Sequence, residues 1–405
     1  MLSGATCFRL AGAGLAAVLV TTVGMSTVAA AANATQPRAF ARIYAPLQTF
    51  NVTPTTWNRG GTNWGVGPDA ISYKTFELQN SARGVTRDIG VGHDGNLWIS
   101  TDCLGTIVKL KPSGLATAYT YGVPNTCDTS TSITLGPDGN MWFVDQFANL
   151  VGKITSRGVI TTYALPTAQP CNYYPSAPLG IVAGPDGAMW FTITYPGNPF
   201  CQAQAGDAPA IGRITTAGAM TFYYTAPAGT QHVISPERIT AGLDGNLYFV
   251  ASLPQNAPNL ALGLVTTGGA LSYSTAFGTS ANFNDTVTVG SDGNLWMSDV
   301  FDAMIFRIGT GGVTGFNVGK YLGVQQAAYG MVSGPDGALW FTTFDDNSLG
   351  RITTAGRISF HAGPSCSPSL SCGSGGGIVR RNGAVWYTLP GNRQTQDVVE
   401  ANRLP

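Results

Sequence analysis

The stretch GPDGNMWF (residues 136–143) occurs seven times in this chain of 405 residues, each time with small changes. The other copies are GHDGNLWI from residue 92, GPDGAMWF from 184, GLDGNLYF from 242, GSDGNLWM from 290, GPDGALWF from 334 and RRNGAVWY from 380. The glycines that follow Asp, or Asn in the last copy, are separated by 44, 48, 58, 48, 44 and 46 residues. A period of this length is typical of an architecture in which each repeat forms one small supersecondary unit.

Each repeat contains four short segments rich in β-branched and aromatic residues. In the third copy these segments are LGIVAG, MWFT, IGRITTAG and AMTFYYT. Asp-Gly and Ala-Gly pairs between such segments indicate tight turns, so we predict four antiparallel strands per repeat, named a to d. One such sheet cannot bury both faces alone, whereas seven arranged radially can. A solenoid also repeats, but four strands without a helical period favour an all-β, seven-bladed β-propeller.

The two ends of the chain indicate how the ring closes. The last repeat has a strand a near residues 377–379, a strand b in AVWYT and a strand c in DVVEANRL, and then the chain ends. AISYKTFELQ (residues 70–79) precedes the first complete repeat and resembles a strand d. We therefore predict that this N-terminal strand completes the last blade, and that residues 70–405 form one domain.

The N-terminus has the pattern of a secretory signal. Arg9 precedes an apolar run over residues 10–23, and small residues with Ala-x-Ala sites follow near Ala32 and Ala34. We predict a cleaved signal peptide over residues 1–34 and an extension over residues 35–69; an uncleaved membrane anchor is the alternative. The expected location is extracellular or periplasmic, without a membrane span after cleavage. A formal net charge of zero with 10% charged residues argues against a nucleic-acid partner, and we expect a monomer.

Six cysteines remain after the predicted cleavage. In a propeller the short a–b and c–d turns lie on one face, and the long b–c and d–a loops lie on the other. All six cysteines fall in the long loops, and an even number in an exported chain indicates disulfides. We predict the pairs Cys103–Cys127, Cys171–Cys201 and Cys366–Cys372. Free buried thiols are the alternative.

The repeat also resembles that of a known family. Its pattern is GIxxGPDGxxWFT followed by IGRITxxGxITxY, most complete in LGIVAGPDGAMWFT, AIGRITTAGAMTFYY and YGMVSGPDGALWFTTFDDNSLGRITTAGRISFH. Over residues 84–405 it resembles the virginiamycin B lyase, or streptogramin B lyase, family. The resemblance implies a seven-bladed propeller and an enzyme that opens a cyclic depsipeptide by elimination with a magnesium ion. In the family motif a His precedes Gly-Ile of strand a, and a Glu follows Trp-Phe-Thr of strand b.

This chain carries other residues at both motif positions. The positions that match the His are Arg87, Thr131, Leu179, Glu237, Asp285, Tyr329 and a glycine of residues 375–377. The positions that match the Glu are Thr101, Asp145, Ile193, Ala251, Asp299, Thr343 and Leu389. The three histidines, His93, His232 and His361, lie elsewhere in the repeat.

Two groups of side chains are candidates for a site on the long-loop face. Glu237, Asp285 and Asp299 are candidate catalytic groups or ligands of a divalent cation, either magnesium or calcium. The candidates for binding an anionic or carbonyl group of a substrate are Arg87, Arg238, Tyr329 and Asp145. The alternative is that these charges are solvated loop residues.

Two functions are therefore expected from the sequence. One is a lyase-like, metal-assisted enzyme that acts on a small molecule or cyclic peptide lactone at the channel mouth. The other is a non-catalytic extracellular propeller that binds a ligand or a protein. The carboxylates favour the first function, and the missing His favours the second.

A ring of residues that stacks on sugars is one interpretation of the tryptophans of strand b. Their fixed position in every copy instead predicts an inter-blade core, for Trp98, Trp142, Trp190, Trp296, Trp340 and Trp386. Trp57 and Trp64 lie outside the repeats and are candidates for ligand contact, with packing over a blade edge as the alternative. The apolar residues that directly follow Asp-Gly-Asn indicate that Asp138 shapes a turn and does not bind a cation.

Overall fold

A computed structural model of the chain describes most of the repeats and three short N-terminal segments. The described residues are 39–43, 48–51, 55–58, 71–78, 85–101, 105–121, 132–146, 148–165, 177–194, 209–225, 234–253, 260–274, 277, 285–321, 323–343, 348–363, 376–390 and 396–403. All regular secondary structure in these ranges is β-strand. They contain no helix able to cross a lipid bilayer. The predicted signal peptide and all six cysteines lie outside the described residues.

The described strands form seven four-stranded antiparallel blades. Strands a of blades one to seven are Thr86–Val91, Ser132–Leu135, Ala177–Ala183, Ser235–Ala241, Val287–Val289, Met331–Ser333 and Ile378–Arg381. Strands b are Leu97–Thr101, Met141–Asp145, Met189–Thr194, Leu247–Ser252, Leu295–Asp299, Leu339–Thr342 and Ala384–Pro390. Strands c are Thr106–Leu110, Leu150–Ile154, Ala210–Ile214, Leu260–Val265, Met304–Gly309, Leu349–Ile352 and Gln396–Arg403. Strands d are Leu115–Thr120, Val159–Ala164, Met220–Tyr224, Leu271–Tyr273, Gly312–Asn317, Ile358–His361 and, for blade seven, Ile71–Glu77.

The blades form a closed ring. Each strand a contacts the strand a of the next blade, and that of blade seven contacts that of blade one. Blade seven is completed by Ile71–Glu77, which pairs with Gln396–Arg403 so that Phe76 lies opposite Val398. The predicted all-β propeller and its closure by an N-terminal strand are therefore confirmed.

The segment before the ring adds strands that the sequence did not predict. Ala39–Ile43 pairs with strand d of blade two, and Gln48–Asn51 pairs with strand d of blade one. Thr55–Asn58, which contains Trp57, pairs with Ile71–Glu77 in blade seven. Three consecutive blades thus have a fifth strand on their outer edge, where it satisfies backbone groups that an edge leaves open. A small hairpin, Lys320–Tyr321 with Val324–Gln325, lies between blades five and six.

The repeated turn holds the strand b tryptophan. In blade two the indole nitrogen of Trp142 donates to Oδ1 of Asp138 at 2.8 Å, and Gly139 has a φ of 76°. The ring is fully buried and stacks on Tyr163 of strand d with 5.9 Å between ring centroids. The other five tryptophans of this position are buried as well. The predictions that Asp138 shapes a turn and that these tryptophans are core residues are confirmed.

Cations on strand c fasten one blade to the next. Lys153 lies 5.1 Å from the ring centroid of Trp142 and 3.7 Å from Asp138. Its amino group also donates to the carbonyl of Thr216, in the c–d turn of blade three, at 2.8 Å. Lys109 of blade one makes the same contact with the carbonyl of Ser156. The face of the short turns is therefore occupied by contacts that hold the ring together.

Candidate ligand-binding site

The centre of the ring holds a cavity of about 180 Å³ that strand a of every blade lines. Every blade contributes a lining residue from the same position of the repeat. This position is the glycine of the Gly-Ile pattern, or the residue that replaces it. These residues are Asp88, Ser132, Gly180, Arg238, Thr286, Gly330 and Gly377. The cavity is thus lined by a column of the repeat in which four of the seven blades replace glycine with a polar or charged residue.

Irregular pairing between strands a and b presents this column to the channel. In blade four the register shifts between Pro236 and Ile239, which leaves Glu237 and Arg238 outside the regular ladder. Such a bulge turns consecutive side chains in different directions. Arg238 consequently lines the cavity, whereas the neighbouring Glu237 is 2% exposed. The same shift occurs in blades one and three.

Hydroxyl groups on strand b fix the backbone at this column. The amide of Gly180 donates to Oγ1 of Thr192 at 3.0 Å, and the amide of Thr286 donates to Oγ of Ser298 at 2.9 Å. Because a buried amide without a partner is costly, these bonds hold the column in place. These hydrogen bonds involve only the backbone of the column, so the side chains of the column form the cavity wall.

Three of the four residues predicted to bind substrate line the cavity: Arg87, Arg238 and Tyr329. Arg87 belongs to blade one and Arg238 to blade four, which is the largest separation that a ring of seven permits. Tyr329 belongs to blade six and lies two blades from each. The structure therefore arranges the three side chains around one cavity.

The fourth predicted residue, Asp145, does not line this cavity. Its Oδ2 accepts a 2.6 Å hydrogen bond from the hydroxyl of Tyr121, and its Oδ1 accepts one from the amide of Ala148 at 2.8 Å. Burial, together with the nearby Asp145, raises the pKa of the Tyr121 hydroxyl well above its usual value. Asp145 thus shapes a b–c loop and joins blades one and two.

Sequence reasoning missed one charged residue of the cavity, Asp88. Its Oδ2 accepts hydrogen bonds from Oγ of Ser132 at 2.9 Å and from the amide of Ile133 at 3.1 Å. Its Oδ1 accepts a bond from the amide of Ile89 at 2.9 Å. The signal was present in the sequence, since Asp88 and Arg238 are the two charged residues in the glycine column.

The three predicted catalytic acids lie within the wall and do not line the cavity. Asp285 and Asp299 are fully buried. Oδ1 of Asp285 accepts a bond from the amide of Val300 at 2.7 Å, and Oδ1 of Asp299 accepts one from the amide of Asp302 at 2.9 Å. The Asp299 contact repeats the loop geometry of Asp145 and Ala148. These acids therefore fix the loop that follows strand b of blade five.

Glu237 is the third of these acids, and it is also buried. Burial raises the pKa of its carboxyl group well above the usual value, the charge of Asp285 raises it further, and Arg238 opposes the shift. Its Oε2 is buried without a hydrogen-bond partner among the described residues. Glu237 is therefore protonated at pH values at which an ordinary glutamate is ionised.

The described side chains do not fit the magnesium ion that the family resemblance implies. Within the described ranges, no three His, Cys, Asp or Glu side chains are grouped so that they could hold a metal ion. Glu237, Asp285 and Asp299 therefore do not form such a group of three, although the charge of Asp285 acts on the neighbouring Glu237. The bulge separates Glu237 from the channel, and loop contacts engage both aspartates.

Comparisons with known proteins agree with this architecture. The model of the virginiamycin B lyase family matches residues 71–393. Virginiamycin B lyase from Staphylococcus aureus is 26% identical with a TM-score of 0.63, over 82% of this chain and 100% of that chain. A catalytically inactive variant of it, solved with quinupristin, is also 26% identical with a TM-score of 0.61, over 81% and 99% of the two chains. A streptogramin B lyase structure is 25% identical with a TM-score of 0.61, over 82% and 98%. Among curated proteins no sequence matches.

Proposed function

The chain belongs to the virginiamycin B lyase family, and from this premise we propose that it binds a small carboxylate- or carbonyl-bearing molecule in its central channel without cleaving it. One observation carries the proposal: Arg87, Arg238 and Tyr329 line a single cavity. Guanidinium groups bind carboxylates through paired, charge-assisted hydrogen bonds, and a phenol donates to a carbonyl oxygen.

The chemistry of the cavity favours binding over elimination. An elimination requires a base that reaches the proton α to the carbonyl and has a pKa near the working pH. At the position of the family His, the cavity presents Arg87 and Tyr329. Arginine stays protonated in proteins and cannot act as this base. Glu237 and Asp285 lie in the wall behind it, and the carboxylate of Asp88, which does line the cavity, accepts hydrogen bonds from Ser132, Ile133 and Ile89.

Titration calorimetry on the full chain tests the proposal with butyrate and quinupristin as probes. Arg238→Ala removes a cavity guanidinium, while Arg357→Ala removes an exposed one from a c–d turn on the opposite face. We expect wild type and Arg357→Ala to bind at least one probe alike, and Arg238→Ala to bind it tenfold or more weakly. Absence of binding to both probes, or equal binding by Arg238→Ala, would overturn the proposal.

A lyase is the second candidate function. It is favoured by Glu237, a buried carboxyl group with a raised pKa that adjoins the cavity residue Arg238. A raised pKa makes the ionised form of a carboxyl group a stronger base. Under this alternative the ionised form of Glu237, present at pH values above its raised pKa, accepts the substrate proton, so Glu237→Gln abolishes turnover while Arg238→Ala weakens substrate binding.

Export is part of the proposal, because the predicted signal peptide delivers the chain to an oxidising compartment. Intact-mass spectrometry of the mature protein tests this directly. We expect a mass that lacks residues 1–34 and is lower by six hydrogens, which corresponds to three disulfides. Retention of the leader would contradict export, and a fully reduced mass would contradict the disulfides.

A further inference from the structure

We infer that the seam between blades four and five, on the face of the short turns, binds a primary ammonium group on an aliphatic stem. Asp244 of blade four and Asn294 of blade five hold the ammonium, and Leu243 packs against the stem. This site lies on the face opposite the long loops, and it does not depend on the proposed channel ligand.

Four other blades hold a cation of their own at the equivalent place. In each of them the carboxylate of the a–b turn pairs with a lysine or arginine of strand c. In blades one and two the lysine ammonium also reaches a carbonyl in the c–d turn of the next blade. The repeat thus builds an ammonium position at the seam between two blades. The four pairs are Asp94–Lys109, Asp138–Lys153, Asp186–Arg213 and Asp336–Arg351.

Blade four keeps the carboxylate of this pair and replaces the cation. Leu264 lies opposite the aromatic residue of strand b, at the position that Lys153 takes in blade two. Asp244 accepts hydrogen bonds from Asn246 and Tyr248, and it forms no ion pair among the described residues. The turn carboxylate of blade two accepts the same set of bonds and still pairs with its lysine. These bonds therefore do not prevent Asp244 from binding a cation.

A cleft of about 20 Å³ lies at this seam. Leu243 and Asp244 line it from blade four, and Asn294 and Gly309 line it from blade five. A space of this size holds about one group as large as a water molecule. An ammonium has that size, whereas a planar guanidinium is larger. The cleft therefore favours a primary ammonium over a guanidinium.

The two sides of the cleft provide the contacts that an alkylammonium requires. Nδ2 of Asn294 donates to Oδ2 of Asp292 at 2.8 Å, and Oδ1 of Asn294 lies beside Gly309. This amide oxygen is a second acceptor for the ammonium, after the carboxylate of Asp244. The side chain of Leu243 is 60% exposed, so methylene groups of the stem leave water when they cover it.

Ligand-detected NMR on the full chain tests the inference with pentylammonium and with pentanol, which has the same chain without the charge. We expect pentylammonium to bind at least about fivefold more tightly than pentanol, and Asp244→Asn to remove this advantage. Asp138→Asn is the matched control, because the carboxylate of Asp138 already pairs with Lys153. This control should bind pentylammonium as wild type does. Near-UV circular dichroism confirms that each variant is folded.

A second pair of variants tests the position of the ligand. Leu264→Lys supplies the cation from strand c, so it should block pentylammonium, whereas Leu264→Met keeps an apolar side chain and should not. Binding that survives in Leu264→Lys would overturn the assigned position. Equal binding of pentylammonium and pentanol, equal binding by Asp244→Asn and wild type, or no binding to the folded chain would each overturn the inference.

The ammonium group can belong to a free amine or to a lysine side chain of a partner protein. Nα-acetyl-lysine methylamide presents the lysine side chain between two blocked peptide groups, so a comparison with pentylammonium distinguishes these sources. Tighter binding of the blocked lysine supports the site and assigns it to a protein lysine. Tighter binding of pentylammonium supports the site and assigns it to a free amine.

Discussion

The indole nitrogen of Trp142 donates to Oδ1 of Asp138, four residues earlier, at 2.8 Å. The same bond between the same two positions recurs in four further blades. In blade four a tyrosine replaces the tryptophan, and the hydroxyl of Tyr248 donates to Oδ2 of Asp244 at 2.7 Å. The repeated octapeptide therefore keeps a hydrogen bond between the Asp of the turn and the aromatic core residue of strand b. Either an indole or a phenol hydroxyl can donate this bond.

The hydroxyl of Tyr248 provides the cleanest test of this bond. Tyr248→Phe removes the donor and keeps the ring, so we expect the free energy of unfolding to fall by about 1–2 kcal/mol. Urea denaturation followed by tryptophan fluorescence measures the change. Tyr163→Phe is the control, since that ring stacks on Trp142 in the core. Equal losses in the two variants would show that the bond to Asp244 contributes nothing of its own.

The fold was predictable because its decisive features are local and repeated. The Asp-Gly turn, the tryptophan that follows and the missing last strand are all visible in one sequence. The fifth strands of blades one, two and seven were not predictable in this way. Ala39–Ile43, Gln48–Asn51 and Thr55–Asn58 pair with distant edges, and nothing in their composition specifies the partner strand.

Closure of the ring depends on Phe76, whose side chain is 2% exposed and stacks on Trp386 with 5.5 Å between ring centroids. Phe76→Ala leaves a cavity in blade seven, so we expect a loss of about 3–5 kcal/mol in the free energy of unfolding. Denaturant unfolding measures it. On the same strand, Lys74 forms an exposed ion pair with Glu400 at 3.7 Å. Lys74→Ala should cost less than about 1 kcal/mol, and a similar cost for both variants would contradict closure by this strand.

Alanine substitutions at two glycines of positive φ test the contact between neighbouring blades. Gly95 has a φ of 71° and open space around an added methyl group. Gly158 has a φ of 88°, and there a methyl group would collide with the ring of Tyr119 in the preceding blade. Gly95→Ala should therefore cost about 1–2 kcal/mol from backbone strain alone, and Gly158→Ala about 1–3 kcal/mol more. Thermal and urea unfolding measure both; identical costs would mean that the blades do not touch at Tyr119.

The buried carboxyl group of Glu237 makes stability depend on pH. Its folded-state pKa is raised above the usual 4.5, so the unfolded chain loses this proton first as pH rises. Between 4.5 and the raised value the folded state holds more protons, and the free energy of unfolding falls by up to about 1.4 kcal/mol per pH unit. Glu237→Gln removes this dependence, so the variant should gain stability relative to wild type as pH rises. Urea titrations from pH 4 to 8 test this, and parallel curves would contradict the raised pKa.

The candidate site was predictable in part. Arg87 and Tyr329 were identified from the motif positions and Arg238 from its place beside Glu237, and all three line the cavity. The sequence could not show that a bulge in strand a sends Arg238 into the channel and buries Glu237, because one residue of register reverses the direction of a side chain. Asp88 was missed because the sequence comparison covered the positions that match the family His and Glu and left out the glycine column between them.

The most direct test of the central claim, that the channel binds without performing the family's elimination, is a turnover assay. Purified full chain is incubated with quinupristin and magnesium, and chromatography follows the ring-opened isomer, which has the same mass as the substrate. The account predicts no isomer above the level of a protein-free blank, in wild type and in Glu237→Gln alike. Accumulation of the isomer by wild type, with its loss in Glu237→Gln, would contradict the account and establish the lyase.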